Sequence, residues 1–129
     1  MDGVIVFFAA ASASQVNAYA QLLDGGAAVS RGEAQFFLRP YDGWSNELDQ
    51  VEREEVASRL GGSPASVFTL EVRHGAPARL ALEWLAECTS QLGPFVVDDD
   101  FGRLLSVRDV ERLVHASGKT DIYTPRAEG

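Results

Sequence analysis

Apolar and polar positions alternate between two rhythms along this chain. Val4 to Ala10, in GVIVFFAA, is a β-branched and aromatic run, which predicts a buried strand. Ser12 or Ser14 then supplies a helix cap, and Val16, Tyr19, Ala20 and Leu23 recur at helical spacing up to Gly25-Gly26. Glu33 to Arg39 contains AQFFL and predicts a second strand, ended by Pro40, which has no amide hydrogen to donate. After the loop PYDGWSN, Leu48, Val51, Val56 and Leu60 make a narrow apolar stripe in NELDQVEREEVASRLGG. That predicts a surface helix starting near Asn46 and Asp49 and stopped by Gly61-Gly62. Ala65 to Arg73 predicts a third strand. Pro77 opens a helix whose face is Leu80, Trp84, Leu85, Cys88 and Leu92, closed by Gly93-Pro94. FVVDD predicts a fourth strand and RLLSV its short return. Ser106, with Asp109 three residues on, caps a last helix. Lys119 to Gly129 is a polar tail, broken only by DIYT.

Two strand–helix–strand units stand out in this order, Val4–Arg39 and Ala65–Asp98. They predict an α+β domain spanning residues 1–129. The expected architecture is ferredoxin-like: split βαβ units in a mainly antiparallel four-stranded sheet, helices on one face, and a C-terminal helix. A doubly wound parallel sheet is the alternative, and it ordinarily carries a glycine-rich phosphate loop that this chain lacks. No internal repeat is visible.

Charge narrows the function. Eleven basic residues stand against nineteen acidic ones, a net charge of −8. Such a surface repels phosphate backbones and anionic membranes, so neither nucleic acid nor membrane is an expected partner. A basic protein would be attracted. Six acids lie between Asp42 and Glu55, opposed by Arg53 alone. The single cysteine, Cys88, permits no internal disulfide, which fits a cytoplasmic location. The apolar start loosely imitates a secretory leader, but Asp2 stands where such leaders carry Lys or Arg.

Candidate chemistry is sparse. Asp98, Asp99 and Asp100 precede Phe101 and Gly102, spelling D-F-G, yet 129 residues cannot hold a protein kinase. On a strand, Asp98 and Asp100 point the same way and could share a metal ion. The simpler expectation is a turn, with Gly102 free to take positive φ. His74 and His115 lack ligand spacing. Cys88 shares its helix face with Trp84 and Leu92, so it is expected in the core. Glu83 and Glu87 are expected on that helix's solvated side. No catalytic residue, metal or cofactor is expected, and the chain does not read as an enzyme.

A surface remains. Tyr41 and Trp44 flank Asp42-Gly43 ahead of the acidic helix. They are either binding anchors or rings folded back onto the core.

The phrase from ALEWLAE through G-P-F-V-V-D-D-D to LLSVRDVERL resembles small bacterial immunity proteins, the antitoxin partners of polymorphic toxins delivered by contact-dependent or secretion-system routes. The resemblance covers roughly Val67 to Val114. It implies a protein that binds one cognate toxin and occludes its active site. By that analogy Glu47, Asp49, Glu52, Glu54, Glu55 and the turn Asp98, Asp99 and Asp100 are the candidate toxin contacts, joined by Tyr41, Asp42 and Trp44 from the aromatic loop. From another class, a small-ligand-binding regulatory domain on a ferredoxin-like sheet predicts a pocket between helix and sheet.

Overall fold

The run Val4–Phe8 is apolar at every position, and a strand of that kind must be covered on both faces. It is the inner strand β1 (Gly3–Phe8) of the sheet. The structure, a computed structural model, describes residues 3–23, 26–73, 75–98 and 104–115. It is an α+β fold. The elements after β1 are α1 (Ala13–Tyr19), β2 (Gln21–Leu23), β3 (Gly26–Arg31), β4 (Ala34–Pro40), α2 (Trp44–Glu47) and α3 (Gln50–Leu60). Then come β5 (Ser66–Glu71), α4 (Ala76–Leu92), β6 (Phe95–Asp98), β7 (Leu104–Ser106) and α5 (Val107–His115).

Among the described residues seven strands join one sheet in the order β2-β3-β4-β5-β1-β6-β7, and every neighbouring pair is antiparallel. Register follows the side-chain alternation. Val6 lies opposite Phe68 and Val97, while Phe7 lies opposite Val67 and Val96. On the first face Val4, Val6, Phe8, Phe36, Leu38, Phe68, Leu70 and Phe95 meet Val16 of α1, the Leu80–Leu92 face of α4 and Val110 of α5. On the second face Phe7 and Val67 meet Leu48 and Val56, with Ile5, Tyr41, Trp44, Leu60 and Leu104 packed around them.

The expected four-stranded sheet with helices on one face therefore describes neither the strand count nor the layers. Two causes account for the difference. Gly25-Gly26 is expected to stop a helix, yet with Asp24 before it the D-G pair is also a hairpin signal. The helix ends at Tyr19 instead, and Gln21–Leu23 with Gly26–Arg31 form the antiparallel pair β2–β3. Second, α2–α3 lies on the opposite face from α1, α4 and α5, because only that layer covers Phe7 and Val67. Gly25 and the tail from Lys119, with its DIYT, lie outside the described residues.

Local signals explain most element ends. Ser12 caps α1 in a reciprocal box with Gln15, and Ser106 does the same with Asp109 ahead of α5. Gly61 ends α3 at φ 82, the left-handed region that glycine enters without steric cost. Among the described residues no helix is long and apolar enough to cross a membrane.

Candidate functional site

The acidic stretch folds as two helices rather than one. Trp44–Glu47 makes a single turn, Leu48 is extended, and Asp49 caps α3. Asp49 Oδ1 accepts from the Glu52 amide at 2.8 Å, and Glu52 Oε1 accepts from the Asp49 amide at 3.2 Å. Both carboxylates sit at the positive end of the helix dipole, where negative charge is stabilising. Two candidate contacts thus also hold the helix start.

Tyr41 and Trp44 fold back onto the second core layer. The Tyr41 amide donates to the Val67 carbonyl at 2.8 Å, extending the β4–β5 ladder by one residue. Its hydroxyl donates to Glu47 Oε2 at 2.5 Å, and that bond pushes the phenol up to about 12. The Trp44 ring meets Phe7 edge-on, centroids 5.8 Å apart at 81°. Both rings stay half-buried, so each also keeps an outward surface.

The apolar stripe of α3 is narrower than expected. Val56 is buried and Leu60 half-buried, but Val51 is 74% exposed. The extended Leu48 breaks the helical phase, so α3 turns Arg53, Val56, Ala57 and Leu60 inward. Val51, Glu54, Glu55 and Ser58 form its outer side.

Arg53 is the decisive residue for charge. It is the one cation between Asp42 and Glu55, and its guanidinium is spent on backbone. Nη1 donates to the Ser45 carbonyl and, at 3.2 Å, to the Leu48 carbonyl. It anchors the end of α2 and forms no ion pair with an acid among the described residues. Glu54 accepts from Gln50 at 3.0 Å, a neutral partner. Among the described residues no cation pairs with Asp42, Glu47, Asp49, Glu52, Glu54 or Glu55, all of which are exposed. Acids on the sheet and on α4 behave differently. Glu71 pairs with Arg39 at 3.4 Å, Glu83 with Arg79 at 2.9 Å, and Glu87 with Arg31 at 2.5 Å. Glu83 and Glu87 lie on the exposed side of α4, as expected, and there they are ion-pair partners.

Asp98 ends β6 opposite Ile5 and Leu104, so it lies on the same sheet face as α2–α3. The strand–return–capped-helix pattern around it is as expected, with β6 and β7 antiparallel. Asp99, Asp100, Phe101 and Gly102 lie outside the described residues, as does His74. Among the described residues no three His, Cys, Asp or Glu side chains gather as metal ligands. His115 sits exposed at the end of α5. Cys88 is fully buried, its thiol donating to the Leu85 carbonyl at 3.2 Å, and burial pushes it up to about 12. A thiol so placed is inert at neutral pH.

One feature had no sequence signal. A cleft of about 300 Å³ opens where α1 gives way to β2, lined by Tyr19, Ala20, Val29, Arg31, Trp84 and Glu87 among others. Its Arg31 and Glu87 are 56 positions apart, so only the fold brings them together.

Compared with protein-family models, with curated proteins and with solved structures, the chain finds no match in any of the three.

Proposed function

We propose that this protein works by binding, and that it is an immunity protein which neutralises a cognate basic toxin in the cytoplasm by occluding its active site. The observation that carries this reading is the unneutralised acidity of α2–α3. Glu47, Asp49, Glu52, Glu54 and Glu55 project from one layer; Arg53 within the run is turned to backbone carbonyls, and Arg59, exposed in the last turn of α3, forms no ion pair with them among the described residues. Such a cluster raises the local negative potential, steers a basic partner and mimics a run of phosphates. Asp98 lies on the same sheet face. Asp42, exposed between Tyr41 and Trp44, adds a charge beside two rings of the kind that anchor interfaces. The resemblance of the Val67–Val114 phrase to immunity proteins points the same way.

The fold belongs to this reading too. The four strands β6-β1-β5-β4, with α1 and α4 in the crossovers, are our candidate for a ferredoxin-like core. The β2–β3 hairpin, α2–α3 and β7–α5 would be additions to it.

The test is capture from the native host at low salt with this protein as bait. Recovery of one basic protein that is toxic when expressed alone, and harmless when co-expressed with this chain, is the expected result. Recovery of nothing counts against the reading. A small-ligand-binding regulatory domain is the second reading, supported by the cleft between α1, α4 and the edge of β3.

A further inference from the structure

β2 is three residues long and pairs with β3 only as far as Gln21 opposite Ala28. Beyond that point the chain leaves the sheet, because Tyr19 is the last residue of α1 and Ala20 its extended cap. Among the described residues no strand therefore meets the outer edge of β3 from Val29 to Arg31.

Which backbone groups face that gap follows from the ladder. Arg31 and Ala34 close the β3–β4 hairpin across a two-residue turn, so they are a hydrogen-bonded pair, and Val29–Phe36 is the next. Ser30 lies between them and turns its amide and carbonyl away from β4, into the cleft. One residue thus presents a donor and an acceptor side by side.

The walls are aromatic and ionic. Tyr19 and Trp84 stand with ring centroids 5.7 Å apart at 54°. Trp84 is 3% exposed and closes the floor, while the half-buried Tyr19 forms the side. Arg31 lies at the rim, but Glu87 holds it through two nitrogens, at 2.5 and 3.2 Å, and Glu83 lies 3.9 Å away. Its charge is already answered, so among the described residues the cleft has no spare cation for an anionic ligand. The volume, about 300 Å³, is at the small end for ligand sites.

We propose that this cleft binds a small planar heterocycle of nucleobase size that offers a hydrogen-bond donor beside an acceptor and carries no added negative charge. The heterocycle pairs its edge with the Ser30 amide and carbonyl and lays its face against Tyr19. This inference rests on the second reading above and is independent of the acidic face, since the cleft lies at the β3 edge beside α1 and α4.

The test is an amide-resolved NMR titration of the full chain with adenosine, purine riboside, succinate and inorganic phosphate, each in the millimolar range. Adenosine is expected to shift Tyr19, Ala20, Ser30 and the Trp84 indole. Purine riboside lacks the exocyclic amine that would donate to the Ser30 carbonyl, and should bind about tenfold more weakly. S30P removes the cleft-facing amide without costing a ladder bond, since that N–H points outward, and should abolish the adenosine shifts while the remaining spectrum stays folded. Equal binding of adenosine and purine riboside, or adenosine shifts that avoid Ser30, overturns the proposal even if S30P does not fold. Cleft shifts with succinate or phosphate but not with adenosine overturn the ligand class and leave the small-ligand reading standing. No cleft shift with any of the four overturns both.

Discussion

Replacing Trp44 by Ala tests whether α2 is part of the core or a loose surface turn. The ring covers Phe7 edge-on at 5.8 Å and joins the cluster of Phe7, Leu48, Val56 and Val67. Truncating a fully buried tryptophan costs about 3–5 kcal/mol. Trp44 is half-buried, so roughly half of that, about 2 kcal/mol, is expected. Of this, about 0.5–1.5 kcal/mol belongs to the edge-on contact with Phe7 rather than to area alone. Urea unfolding followed by far-UV circular dichroism measures it. With a slope of about 2 kcal/mol/M, the midpoint should fall by about 1 M with the slope unchanged. A cycle with Phe7→Leu should show coupling of about 0.5–1.5 kcal/mol between the two rings. A loss below about 0.5 kcal/mol, or no coupling, would refute the second core layer as drawn.

Three further outcomes follow from named contacts. Ser106→Ala removes the hydroxyl that accepts from the Asp109 amide at 3.2 Å, and should cost about 1 kcal/mol in the same assay. The Cys88 thiol should resist alkylation in the native protein at neutral pH and react at once on unfolding; fast labelling of the native state would contradict its burial. Tyr41 carries a folded pKa of about 12 against an ordinary 10.0, so the folded state holds this proton more tightly. Its contribution to stability is therefore full below pH 10.0 and lost as pH rises toward 12. Tyr41→Phe should flatten that part of the stability-against-pH curve, and an unchanged curve would assign the loss elsewhere.

How far the sequence revealed the fold depended on whether the deciding signal was local. The Pro77 helix, the Ser106–Asp109 cap and the Gly61 stop were legible because each is settled within one turn of chain. The hairpin β2–β3 was not, because Asp24-Gly25-Gly26 serves equally as a helix stop and as a turn, and Leu23 happened to fit helical phase. The second helical layer had a trace. Val4–Phe8 is apolar without alternation, and a one-sided sheet would have left Phe7 in water. In the acidic face the residues were legible and their duties were not. Nothing local says that Arg53 faces the Ser45 and Leu48 carbonyls instead of a neighbouring glutamate, or that Leu48 breaks the stripe and leaves Val51 in solvent. The cleft needed three elements that meet only in space.

The central claim is that the outer acids of α3 bind a basic partner. Glu54 and Glu55 test it most cleanly, since Asp49 and Glu52 also cap the helix and Glu47 also holds Tyr41. The measurement is calorimetric titration of the partner captured from the host against wild type and against E54K/E55K, at low and at high salt. Both proteins should unfold within about 0.5 kcal/mol of each other. Wild type should bind tightly, with affinity that weakens as salt rises, and charge reversal should lower it by at least about a hundredfold. Equal affinity for the two proteins, or binding indifferent to salt, would contradict the claim.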